Sequence, residues 1–307
     1  MTLAPSSRLI LRVLNRHTLG GAMPDGSLDA LRVATNQPML PYWLTRRSLA
    51  AVEEVTIAGP QSPLRLRLYR PRGPIGGVVL FIHGGGFVHC GLESHDAICC
   101  RLARRSGCVV AAVDYRLAPE QPFPAGTEDV YAALQWVAGN ARRLRSPRVV
   151  VAGDSAGGNL AAAATLMARD RSGPAIAFQL LYYPPTCGVV DVPSRQSNAE
   201  GYFLTTEAMH WYLQKYMDAS SHAHPYFAVA SADLSGLPPA AIFTAEYDPL
   251  RDEGEVYAER LRAAGVTVQY RCLPGTIHGF LSFYAMQPRA RAALDAGAAA
   301  VRAAVGR

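Results

Sequence analysis

Five short, continuous apolar runs limit the fold of this chain more than any other feature. They lie at residues 78–82, 108–113, 149–152, 178–182 and 240–243. None keeps the strict apolar-polar alternation of a half-wet strand, so each has to be covered on both faces. Between and after them lie stretches of helical pattern at 95–105, 127–140, 159–169, 253–264 and 289–304, and residues 266–272 offer one further strand. Strand alternating with helix predicts an α/β fold with a mostly parallel central sheet flanked by helices. Ahead of these elements, residues 54–57 and 64–69 flank the turn-prone Gly59-Pro60. Leu64-Arg65-Leu66-Arg67-Leu68 alternates strictly, which predicts an antiparallel edge hairpin with one wet face.

Composition narrows the class. Half of the 307 residues are hydrophobic and 18% are charged, which excludes a disordered chain. A chain of this length closes a core without disulfides or metals. The formal charge is +6, and of the 30 basic residues only Lys215 is a lysine. The arginines are scattered rather than blocked together, which argues against a nucleic-acid partner. No run of about 18 apolar residues could span a membrane. Arg8 and Arg12 interrupt the apolar letters of residues 1–14, so a signal peptide is not expected and the cytoplasm is the expected compartment. The six cysteines form no C-x-x-C pair and have no histidine at zinc spacing. They are expected to be small buried hydrophobes, with no metal site.

Two segments stand outside the alternation. Residues 1–45 have helical pattern before the first strand. Residues 185–230 interrupt the chain again, after Pro184-Pro185. Within the second, residues 206–217 read as a helix capped by Thr205 or Thr206. Its Met209, Trp211, Tyr212, Leu213 and Tyr216 make it unusually aromatic. The expected organisation is a core at 46–184 and 231–307, with 1–45 and 185–230 forming a helical cap over the carboxyl edge of the sheet.

The chemistry is concentrated at strand ends. Gly153-Asp154-Ser155-Ala156-Gly157-Gly158 follows one apolar run and opens a helix. So short a G-x-S-x-G string is weak alone, but its strand-turn-helix setting is not. A serine on such a turn is forced out of the sheet edge, beside the free N–H groups and partial positive charge of a helix start. A phosphate loop would need Gly-x-x-x-x-Gly-Lys, which is absent. His83-Gly84-Gly85-Gly86 follows another apolar run. Its bare backbone N–H groups at Gly85 and Gly86, with that of Ala156, can converge on a developing oxyanion. A flexible linker would not sit at the carboxyl end of a strand. Serine needs a base. Of eight histidines, His17, His210, His222 and His224 lie in the two outlying segments, while His83, His89 and His95 surround the glycine loop. His278, in Gly275-Thr276-Ile277-His278-Gly279-Phe280, follows the last strand, as the chain order serine, acid, histidine requires. The acid should lie between them: Asp248 is the candidate, with Glu246 and Asp252 as rivals, and Asp252 suits a helix cap.

These motifs, with Tyr115-Arg116-Leu117-Ala118-Pro119-Glu120, the segment 248–254 and Glu200-Gly201-Tyr202-Phe203-Leu204-Thr205, occur in an order that resembles the bacterial hormone-sensitive-lipase-like esterases of the α/β-hydrolase fold. Cys90 stands where that family often has glycine. The resemblance implies a two-part cap, a triad of Ser155, His278 and Asp248, and an oxyanion hole at Gly85, Gly86 and Ala156. It also implies a buttress at 115–120 and hydrolysis of short-acyl carboxylic esters without a cofactor. A homodimer is compatible with it. Phe87, Tyr202, Phe203 and Trp211 are expected to bind substrate, with Met209 and Tyr212 as further wall. An amidase or deacetylase on the same triad is the alternative enzyme. A non-catalytic small-molecule receptor would not need the intact triad.

Overall fold

The computed structural model describes residues 2–17, 27–188 and 190–306, with side chains 13–17 excepted. Eight strands form one sheet: β1 (Leu49–Ile57), β2 (Leu64–Pro71), β3 (Val78–Ile82), β4 (Val109–Asp114), β5 (Val149–Asp154), β6 (Phe178–Tyr182), β7 (Ala240–Tyr247) and β8 (Val268–Ile277). They are ordered β1-β2-β4-β3-β5-β6-β7-β8. Only β2 runs against its neighbours; from β4 onward every pairing is parallel. The expected α/β architecture is the one found.

The helices are α1 (Pro5–His17), α2 (Leu28–Thr35), α3 (Tyr42–Thr45), α4 (Asp96–Ser106), α5 (Ala125–Gly139), α6 (Ala141–Leu144), α7 (Ala156–Asp170), α8 (Pro193–Ser197), α9 (Thr206–Tyr216), α10 (Arg251–Ala263) and α11 (Pro288–Ala304). Successive strand residues alternate between two cores. Val78, Leu80 and Ile82 pack with side chains of α5, α7 and α10, while Val79 and Phe81 pack with α4 and α11. This two-sided burial is why the apolar runs do not alternate in polarity. Among the described residues no helix is long and apolar enough to cross a membrane.

Two expectations need correction. The alternating strand does not have a wet face. Arg65 is half exposed, but Arg67 is buried and paired with Glu54 at 2.5 Å and Glu93 at 2.7 Å. The N-terminal segment covers that face: Tyr42 hydrogen-bonds Glu93, and Thr45 and Arg46 hold Asp96 at 3.0 and 2.6 Å. Nor are the cysteines uniformly buried. Cys99, Cys100 and Cys108 are, Cys90 and Cys187 are half-buried, and Cys272 is exposed.

The two outlying segments meet each other and the sheet. Ile10 and Leu11 of α1 pack with Ile277, Tyr202 and Phe203, and Ser7 hydrogen-bonds the Gly275 carbonyl at 2.7 Å. Arg32 of α2 donates to the carbonyls of Val88 and Ala118 at 2.9 and 2.8 Å and grips Glu120. The α9 cap is Thr205, whose hydroxyl accepts from the Ala208 N–H.

The Arg67 cluster makes a stability prediction. Hydrogen bonding to Arg67 holds the Glu93 carboxyl at about 2, below its ordinary 4.5. A lowered carboxylate stabilises the fold above the ordinary value and loses that contribution as pH falls from about 4.5 towards 2. Glu93→Gln should therefore be less stable than wild type at pH 7 and lose less stability between pH 5 and 3, measured by urea unfolding. Equal slopes for the two proteins would show that Glu93 has no part in acid sensitivity.

Candidate active site

Three parallel strands release their chains at one edge of the sheet, and each next residue is polar. β5 ends at Asp154 and Ser155 follows; β7 ends at Tyr247 and Asp248 follows; β8 ends at Ile277 and His278 follows. Ser155 Oγ lies 2.9 Å from His278 Nε2, and His278 Nδ1 lies 2.7 Å from Asp248 Oδ2. Asp248 is wholly buried, and its second oxygen accepts the Leu250 N–H at 2.9 Å. The rivals face elsewhere. Asp252 accepts from the Ser194 N–H and Arg251, and Glu246 accepts from the Gly275 N–H at 2.7 Å. Among the described residues, no other histidine reaches Ser155.

Ser155 sits at φ +52°, ψ −125°, backbone that only a tight turn imposes on a non-glycine residue. The glycines beside it are obligatory. A Cβ on Gly153 would stand 2.2 Å from the Gly157 carbonyl oxygen, and one on Gly157 would stand 2.1 Å from that of Ile82. α7 starts at Ala156, whose N–H precedes any helical hydrogen bond.

The glycine loop lies alongside. Gly85 at φ +116° and Gly86 at φ +60° use backbone that favours glycine. Among the described residues, the N–H groups of Gly85, Gly86 and Ala156 have no acceptor. The 115–120 segment props the loop from beneath: Tyr115 donates to the His83 carbonyl at 3.0 Å and stacks on its ring, and the Ala118 N–H donates to Phe87 at 2.9 Å. Burial, with His95 nearby, pulls the His83 imidazole down to about 4, so it stays neutral.

Asp154 and His95 are partners that the sequence reading did not assign. Asp154 Oδ1 accepts the Gly84 N–H at 3.0 Å and lies 3.1 Å from His95 Nε2; Tyr183 donates to Oδ2 at 3.3 Å. His95 Nδ1 meets Ser94 Oγ at 2.9 Å, and that hydroxyl both donates to and accepts from the Gly91 backbone. One carboxylate thus ties both ends of the loop. Burial alone would raise its proton affinity, but His95 and the Gly84 N–H hold it below the ordinary range. The motif placed Asp154 beside the nucleophile; its partners come from elsewhere in the chain.

Above Ser155 is a cavity of ≈ 210 Å³, mostly apolar, lined by Phe203, Met209, Tyr212 and Leu213 of the 185–230 segment and by Phe87 of the glycine loop. Trp211 and Tyr202 do not line it. Positions 209, 212, 213 and 216 share one face of α9, and Trp211 lies on the other, edge-on to Tyr212 with Lys215 over its ring. Tyr202 packs on Tyr247 beside α1.

Residues 79–282 match the sequence profile of the α/β-hydrolase fold. The chain belongs to that family. Within it, the chain falls in the hormone-sensitive-lipase-like esterase branch. The carboxylesterase NlhH of Mycobacterium tuberculosis is 45% identical over 235 residues, covering 74% of each chain. Esterase LipI of the same organism is 38% identical over 96% of this chain and 93% of its own. Among solved structures, a hyperthermophilic esterase from Pyrobaculum calidifontis superposes with a TM-score of 0.93 at 41% identity, over 99% of both chains.

Removing the loop's anchor should be felt at Ser155 through the glycine loop that Asp154 holds. Asp154→Ala is expected to lower kcat for a nitrophenyl ester by about 10- to 100-fold, less than deleting an oxyanion donor outright, with KM within about threefold. A rise in KM with kcat unchanged would mean that Asp154 shapes the pocket rather than the loop.

Proposed function

We propose that the protein is a serine carboxylesterase acting on short-chain acyl esters. The observation that carries this reading is the unbroken run of contacts from Ser155 Oγ to His278 to Asp248, 2.9 and 2.7 Å long, beside three N–H groups without acceptors. His278 Nε2 takes the Ser155 proton as Oγ attacks the acyl carbon. Asp248 holds the Nδ1–H tautomer and stabilises the imidazolium. The N–H groups of Gly85, Gly86 and Ala156 receive the oxyanion. His278 then gives its proton to the departing alkoxide, leaving an acyl-enzyme. Water, deprotonated by the same nitrogen, attacks that ester and returns Ser155 and a carboxylic acid. The relatives named as carboxylesterase and esterase support the reaction class.

The described parts of residues 1–45 and 185–230 form the cap in this reading. The cavity beneath it supports small acyl groups: ≈ 210 Å³ is a finite slot, not an open face. Each methylene that fits contributes up to about 0.8 kcal/mol, and one that does not is rejected sterically.

Ser155→Ala should fold and lose about 10⁴-fold or more in ester turnover, and a phosphonate should label Ser155 alone. Substantial residual activity would mean that another residue is the nucleophile. Asp248→Asn should be far more damaging than Asp252→Asn; the reverse ranking would transfer the acid to Asp252.

Across a nitrophenyl series the optimum should fall at about four to six acyl carbons. Sixteen-carbon esters hydrolysed as well as short ones would refute the slot. Trp211→Ala should lower thermal stability and leave that optimum in place, because its ring lies off the cavity.

A further inference from the structure

One side chain of α9 forms the cavity wall beside Gly86. The Tyr212 ring is so close that a Cβ on Gly86 would stand 2.3 to 2.6 Å from three of its carbons. Glycine is therefore required at 86 twice, for its φ of +60° and for this ring. The Tyr212 hydroxyl lies 2.8 Å from His89 Nε2, and the other ring nitrogen of His89 lies 3.1 Å from Cys90 Sγ. Either neutral tautomer satisfies both contacts, because the phenol and the thiol can each donate or accept. Among the described residues, no other hydrogen bond joins α9 to the 84–91 loop. One turn on, Tyr216 stacks on Phe87 at 3.8 Å, so the end of the helix is fixed by ring packing and its middle by this bond.

The contact is costly to break. Both groups are half-buried at the wall of a mostly apolar cavity, and parting them there removes a donor-acceptor pair that the apolar wall does not replace. Burial pulls His89 down to about 3, so the ring is neutral and the bond persists through the neutral range.

We propose that Tyr212, tethered by His89, is a specificity-determining residue that sets how much bulk an ester can have beside Gly86. The inference rests on the esterase reading above and names its substrate class: esters slim on that flank of the carbonyl. An ester whose carbonyl oxygen sits at the Gly86 N–H brings a substituent of the carbonyl against the Tyr212 ring. A ring held at both ends, by its helix and by its hydroxyl, cannot swing aside for a branched group. An untethered ring on the same helix can.

The test compares wild type with Tyr212→Phe, His89→Leu, the double variant and Tyr212→Ala. Each is assayed on trimethylacetyl against acetyl nitrophenyl esters, and on tert-butyl against ethyl acetate. In one of these two series the ratio of kcat/KM, bulky over slim, should rise about tenfold or more in Tyr212→Ala, the range that a misfitting group costs in an apolar pocket. It should rise about threefold in Tyr212→Phe and in His89→Leu. The double variant should go no further than either single one, because both remove the same bond. A purely structural ring would lower all four rates together and leave the ratios alone. Ratios within twofold of wild type in folded Tyr212→Phe and His89→Leu, or additive effects of the two, would overturn the tether. These two variants decide the matter even if Tyr212→Ala does not fold. A wild type that hydrolyses none of the esters overturns the esterase reading and this proposal together; an active wild type with unmoved ratios overturns this proposal alone.

Discussion

At the turn between β5 and α7, carbonyl oxygens occupy the places where side chains on Gly153 and Gly157 would stand. The backbone can pass only with Ser155 in a strained conformation, at a cost of about 1–3 kcal/mol. The surrounding sheet holds it there, with the Ser155 N–H bonded to the Tyr182 carbonyl at 2.9 Å. Everything else at the site depends on this crowding. It lifts the hydroxyl off the sheet edge towards His278 and leaves the Ala156 N–H free at the start of α7. It also brings the end of β3, and so the glycine loop, against Ser155.

The three glycines at the start of the loop contribute no side-chain packing, although Phe87 and Val88 after them are buried in the core. The glycine stretch itself is held by buried polar groups. Asp154 and His95 tie the two ends of the loop from the sheet side, and Tyr115 props it from below. From the other side the N-terminal segment takes hold through Arg32 on the Val88 carbonyl and Asn36 on the Ser94 N–H. Just beyond the loop, Glu93 and Asp96 are gripped by Arg67, Tyr42, Thr45 and Arg46. Buried charges of this kind are tolerable only when paired, and here the pairing also fixes the donors that would face an oxyanion. The N-terminal segment therefore helps to hold the loop as well as packing with Tyr202 and Phe203.

Fold and reaction class extend over the whole chain: the Pyrobaculum calidifontis esterase superposes along nearly its full length. In this protein the wall of the cavity is α9, with Tyr212 lying over Gly86 and Phe203 near Gly279. A polar bond between His89 and Tyr212 joins α9 to the glycine loop, so the position of that helix and the path of the loop are not independent here.

The amino-acid sequence alone determined the features that are local. Apolar runs covered on both faces require a parallel sheet, and a serine between glycines after such a run can only be an exposed turn. Three glycines at a strand end leave bare donors. Each follows from residues adjacent in the chain, through sterics and burial. The tertiary structure decided whatever depends on where elements dock. Asp248 is preferred to its rivals Glu246 and Asp252 in the sequence, but what sets it opposite His278 is that β7 runs on through Tyr247 and releases Asp248 beside the end of β8. Arg67 reads as solvated until the N-terminal segment covers it. Trp211 and Tyr202 read as pocket aromatics beside Phe203, Met209 and Tyr212, but the face that a helix or turn presents is set by its docking, and docking turned only the last three towards the cavity. Asp154 stands in the motif, yet its partners Gly84, His95 and Tyr183 lie on other elements, and hydrogen bonds between distant segments leave no periodic trace in a sequence.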